Sequence, residues 1–156
     1  MKRSGIISVI FVILISTHSV PSMAKWVAGD HNDNVEWQFD SVRIRKESDH
    51  ITAWILVNFR TSFESMENRE VIQSFPELRG VKSLIRQVKV RCNSYEEATQ
   101  NVTYYNGLNG NGTVLKSISA AALQTPLTFD AYPPKSVGEV TLVKLCRHAG
   151  SIIRAR

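Results

Sequence analysis

Cys92 and Cys146 are the only cysteines in this 156-residue chain, and they stand 54 positions apart. What such a pair can do depends on where the chain is delivered. Lys2 and Arg3 form a short positive segment, followed by an apolar run from Ile6 to Ile15 broken only by Ser8. The stretch then turns polar, breaks at Pro21 and closes on Ser22-Met23-Ala24, with small residues three back and one back from the expected cut. Its apolar run falls short of the roughly 20 residues that span a bilayer. Residues 1–24 are therefore read as a cleaved signal peptide of bacterial type rather than a retained anchor, and no cysteine beside the apolar run suggests a lipid anchor. No transmembrane segment is expected after cleavage. In an oxidising compartment two cysteines read as one bridge. The rival, free or metal-binding thiols, lacks a nearby histidine pair to complete a site. Closing a loop of this length removes about 4 kcal/mol of unfolded-chain entropy.

Residues 25–150 read as one domain and 151–156 as a C-terminal tail, with no repeat or linker between. Val35, Trp37 and Phe39 alternate with Glu36 and Gln38, the period of a half-buried strand. Val42 and Ile44 alternate with Arg43 and Arg45, and Ser48-Asp49-His50 supplies a turn. Ile51 to Phe59 carries apolar residues on one face and Trp54 and Leu56 on the other, which predicts a central strand covered on both sides. Residues 62–79, polar and proline-containing, read as a long mobile connection. In the strand from Val81 to Cys92, Val88, Val90 and Cys92 share the core face while Gln87, Lys89 and Arg91 point away. Segments 101–105 and 113–119 flank an Asn/Gly run suited to a hairpin turn. Ser136-Val137-Gly138-Glu139 is a capping box, after which Val140, Val143 and Cys146 recur at helical spacing, with Leu142 and Leu145 broadening the stripe and Gly150 as the stop. The expected class is α+β: an antiparallel β-sheet domain with a C-terminal helix stapled by one disulfide.

Asp30 to Asn34 begins like a calcium loop, but Val35 stands where that loop needs glycine and Ser41 where it needs glutamate. A polar turn is the better reading. The glycine run is followed by strand-like Thr113-Val114-Leu115 rather than a helix, so it does not read as a phosphate cradle. His31, His50 and His148 form no zinc pair, and no nucleophile motif is present. The chain is read as not an enzyme, with no catalytic residue, metal or cofactor. Its formal net charge of +5 falls by two when Lys2 and Arg3 leave, too mild to point to a nucleic-acid partner. Arg43, Arg45, Lys89 and Arg91 each oppose the apolar face of a strand. They read either as a solvated sheet face or as a basic stripe for acidic groups on a glycan, a protein segment or haem propionates.

Ser41-Val42-Arg43 followed by Ile51-Thr52-Ala53-Trp54-Ile55-Leu56-Val57 resembles the opening of the bacterial surface-adhesin protein E family, where an S-I-R strand precedes a V-x-V-W-V-L strand. Val81-Lys82-Ser83 leading to Cys92, the turn from Tyr105 to Gly112, and Pro134-Lys135-Ser136-Val137-Gly138-Glu139 ending at Cys146 resemble later motifs of that family in the same order. Phe129 and Tyr132 occupy the stretch where the family often has a tryptophan, so a contact through that tryptophan does not carry over. The resemblance implies an exported surface adhesion module, with host extracellular-matrix proteins such as vitronectin and laminin as partners and haem as a further ligand. A periplasmic small-ligand or accessory binding domain is the alternative. The sequence assigns no oligomeric state.

Overall fold

The computed structural model of the chain describes residues 23–65, 69–122, 124 and 126–154. The expected signal segment lies outside the described residues except for Met23 and Ala24. Strand-forming alternation from Trp26 onward produces β1 (Trp26–His31), β2 (Val35–Asp40), the short β3 (Arg45–Lys46) and β4 (Ile51–Phe59). After a helical excursion come β5 (Ser83–Arg91), β6 (Glu96–Tyr105), β7 (Val114–Ser119) and the short β8 (Asp130–Ala131). They form one antiparallel sheet in the order β1-β2-β4-β5-β6-β7, with β3 against β4 and β8 against β6. Sheet dominates, so the fold is mainly β with one long helix rather than an even α+β mixture.

That helix, α2 (Val137–Arg154), packs on the inner sheet face over β1 and β2. Leu142, Leu145 and Ala149 meet Ile51, Ala53, Ile55, Val57, Val88 and Val90 in the main core. Burying each large aliphatic side chain there contributes about 1.5–3 kcal/mol. The buried stripe is Gly138, Thr141, Leu142, Leu145 and Ala149, so Val140 and Val143 flank the core rather than centre it. Gly29 of β1 permits the close approach, because a Cβ there would lie 2.5 Å from Thr141 Cγ2. The Ser136 hydroxyl accepts from the Glu139 N–H at 3.3 Å, while the Glu139 carboxylate accepts from the Lys135 N–H at 2.5 Å, a capping box displaced by one residue. Gly150 does not end the helix, since it keeps helical φ and the chain continues to Arg154. The tail expected over 151–156 is thus helical as far as Arg154. The Cys92–Cys146 disulfide ties the end of β5 to α2, with Cα atoms 5.5 Å apart.

Residues 62–79 are not a bare connection. They contain α1 (Arg69–Ser74) between two short 3-10 turns, and Phe63, Ile72 and Leu78 join Val81 in a second core against Phe59, Phe75, Tyr104 and Leu115. Polarity concealed this, because a few apolar residues spaced through a charged stretch suffice once the sheet supplies the other wall. The Asn/Gly run also does more than turn the chain. Asn109, Gly110 and Gly112 take positive φ, and the loop folds back on the outer sheet face, where Asn58 and Asn109 exchange two hydrogen bonds of 2.8 and 2.7 Å. Ser83 Oγ donates to the Gly107 carbonyl at 2.6 Å and accepts from the Gly110 N–H at 3.0 Å. One end of the outer face is closed in this way, and the other end stays open.

Candidate functional site

The open end of the outer face forms a groove of about 680 Å³. Thr52 and Trp54 of β4 and Gln87 and Lys89 of β5 make its floor, and Val42 to Arg45 with Glu47 make its wall. Sheet register explains the floor, because Arg45 pairs with Thr52 and Thr52 with Lys89, so all three side chains emerge on one face in one row. A bulge in the β5–β6 pairing, after Gln87↔Asn101 and before Val88↔Thr99, leaves Gln100 unpaired and aims it at the groove.

The four basic residues expected to form a stripe separate into different roles. Arg43 lies outside any strand, since β3 begins only at Arg45. Its Nε donates to Asp40, and its guanidinium sits 5.0 Å above the Trp54 ring. Asp40 is fully buried and also accepts from the N–H groups of Lys25 at 3.2 Å and Val42 at 3.0 Å. Burial alone would raise its pKa, but the hydrogen bonds from Arg43, Val42 and Lys25 outweigh that and hold the carboxyl below its ordinary range. Arg43 therefore fixes the wall as well as lining the groove. Arg91 lies outside the lining, 3.7 Å from both Asp49 and Glu96, and stacks at 3.8 Å on the Phe129 ring. Lys89 approaches Glu47 only loosely, at 3.7 Å. Arg45 is exposed and has no ion pair among the described residues.

Glu47 is the groove's acidic residue. It accepts from the Thr52 hydroxyl at 2.7 Å and meets His50 Nε2 at 2.9 Å. The Thr52 bond first, then His50 and Lys89, keep its pKa below the usual value. The other ring nitrogen of His50 faces Asp49 at 2.7 Å, and among the described residues Nε2 makes no hydrogen bond beyond its approach to Glu47. The groove thus presents cations for haem propionates but no His, Cys, Met or Tyr for the iron, and haem does not fit it. Among the described residues no group of three or more His, Cys, Asp or Glu is placed to hold a metal ion. Asp30 and His31 end β1, and Asn32 to Asn34 form a turn in which Asn32 Oδ1 accepts from the N–H groups of Asn34 and Val35, both at 2.9 Å.

The profile of the surface-adhesin protein E family matches residues 26–147. The chain belongs to that family. Among solved structures, protein E from non-typeable Haemophilus influenzae is similar at TM-score 0.51 and 14% identity, covering 84% of this chain and 82% of that one. A second structure of Haemophilus influenzae protein E gives 0.52 and 14%, covering 81% and 86%. At such identity the likeness shows the fold alone. No curated protein matches the sequence. Membership in the protein E family places the chain among surface adhesins, which are exported or held at the cell surface. Among the described residues no helix is long and apolar enough to cross a membrane. For this protein E-family domain, sequence reasoning missed Trp54, Gln87 and Gln100 as parts of the groove and Asp40 as the buried anchor of its wall. Trp54 and Gln87 carried a signal, since both sit on the face opposite the core. Asp40 and Gln100 carried none, because one depends on a bend and the other on a bulge.

Proposed function

We propose that this chain is an exported, non-catalytic binding module, released from residues 1–24 and displayed at the cell surface. It docks acidic groups of host matrix proteins in the groove on its outer sheet face. The supporting observation is that Arg45 and Lys89 stand in one row at the open end of the outer sheet face, one without a counter-ion among the described residues and the other with a loose one. Exposed charges of this kind give affinity only in combination, and their attraction is screened by salt. Family membership supports the surface location.

The test replaces Arg45 and Lys89 together by serine and leaves Arg43 and Arg91, which hold neighbouring carboxylates. Circular dichroism checks the fold, and binding to immobilised vitronectin and laminin is measured across a salt series. Binding of the wild type should weaken as salt rises and drop roughly tenfold in the variant. Equal binding by both proteins would reject the groove. Protease treatment of intact cells tests display, and complete protection would favour a periplasmic role.

A further inference from the structure

The outer face continues past the groove, and its chemistry changes along the way. Trp54 stands opposite Gln87, Gln87 opposite Asn101, and Asn101 opposite Ser119. Two residues along, Ile85 stands opposite Thr103 and Thr103 opposite Ser117. Asn101 Nδ2 donates to Gln87 Oε1 at 2.8 Å, and the Thr103 and Ser117 hydroxyls are 3.0 Å apart. Amides and hydroxyls are thus held in order between β5 and β7. From β4 to β7 the face spans three strand spacings, about 14 Å. Among the described residues of these rows, cations stand at the groove end, and the remainder is uncharged and mostly polar, with Ile85 its apolar member.

We infer that this face binds an acidic polysaccharide. Arg45 and Lys89 take its carboxylate or sulfate groups, and the Gln87–Asn101 and Thr103–Ser117 pairs take its hydroxyls. The inference rests on the groove's being an anion site and names the chemistry of the ligand. A nucleic-acid strand carries a charge at every unit and would need cations along the whole face. An acidic peptide would offer main-chain groups, and the backbone beneath this face is already paired within the sheet. A polysaccharide with one acid group per disaccharide, as in hyaluronan, is rich in hydroxyls and sparse in charge, which matches an uncharged floor with cations at one end. The bulge adds Gln100, whose Oε1 has no hydrogen-bond partner among the described residues.

The experiment measures binding of the full exported protein to heparin-derived oligosaccharides, hyaluronan oligosaccharides, dextran and polyglutamate. The acidic oligosaccharides should bind and dextran should not, and comparing the first two separates sulfate from carboxylate as the anchoring group. Arg45→Ser with Lys89→Ser should weaken binding roughly tenfold. Gln87→Ala with Asn101→Ala should weaken it several-fold while leaving polyglutamate unaffected. Polyglutamate binding as tightly as either oligosaccharide, with Gln87→Ala and Asn101→Ala silent, would overturn the polysaccharide and leave the anion groove standing. No binding of any polyanion by a protein with native circular dichroism would remove both.

Discussion

Replacing Glu97 by glutamine should destabilise the domain by about 3–5 kcal/mol, the cost of stranding a buried charge. Arg86 of β5 points to the inner face, where Nη1 donates to Glu97 and the Tyr132 hydroxyl donates to the same Glu97 oxygen at 2.6 Å. The side chains are only 12% and 6% exposed, so solvent does little screening. In contact, at an effective dielectric near 20, the attraction is of order 4 kcal/mol. Burial alone would lower the Arg86 pKa, but Glu97 and Tyr132 more than offset it and keep the guanidinium charged. Trp37, 4.4 Å from the guanidinium carbon, adds a cation–π contact that survives the substitution. Among the described residues Arg86 Nε and Nη2 and Glu97 Oε2 have no hydrogen-bond partner, so the pair is incompletely satisfied. The double variant Arg86→Met, Glu97→Leu should therefore recover most of the loss or exceed the wild type. Urea unfolding followed by far-ultraviolet circular dichroism measures both, because tryptophan fluorescence would report Trp37 itself. A loss below about 1 kcal/mol in Glu97→Gln would mean that solvent reaches the pair, and the reasoning would fail.

Replacing both Cys92 and Cys146 by alanine should cost about 4 kcal/mol, seen as a lower urea midpoint that reductant no longer shifts; an unchanged midpoint would refute it. Burial of the Tyr132 phenol, opposed by Arg86 and aided by Glu97, raises its pKa. The folded state therefore keeps this proton longer, and stability present below about pH 10 should fall as pH rises above it. Tyr132→Phe should flatten that alkaline limb in pH-dependent unfolding, and an unchanged slope would exclude Tyr132 as its source. Gly29→Ala should cost about 1–3 kcal/mol in thermal unfolding through collision with Thr141, and a neutral result would mean that α2 shifts freely. Protein recovered from the exporting cell should begin at Lys25 by N-terminal sequencing, and a retained Met1 would refute processing.

The strands and the long helix were legible in the sequence because their side chains repeat at the period of the backbone. Ile51 to Phe59 declares a central strand by carrying apolar residues on both faces, and β4 does lie between β2 and β5. Cys92 and Cys146 were marked by burial pattern as well as by number, and the bridge joins them. Where the period of two stops, sequence reasoning erred. Val42 to Arg45 alternates on paper, yet buried Asp40 captures three backbone N–H groups and bends the chain before β3 can begin.

Sequence alone thus determined β2, β4, β5, β7 and the second half of β6, the apolar face of β2, β4 and β5, and that Arg45 and Lys89 lie opposite the core, while β1, β8 and the start of β6 escaped it. Local chemistry suffices for these, since alternation is a property of neighbouring residues. Only the tertiary structure decided that α2 and the second core of Phe63, Ile72 and Leu78 cover the same inner face, while the glycine loop closes one end of the outer face and leaves the other open. It alone sent Arg43 and Arg91 to nearby carboxylates and left Arg45 without one among the described residues. Those outcomes turn on register between strands distant in sequence, on one bulge at Gln100 and on the fold-back of a glycine loop. Charges compete for partners in space, and no spacing along the chain records which will win.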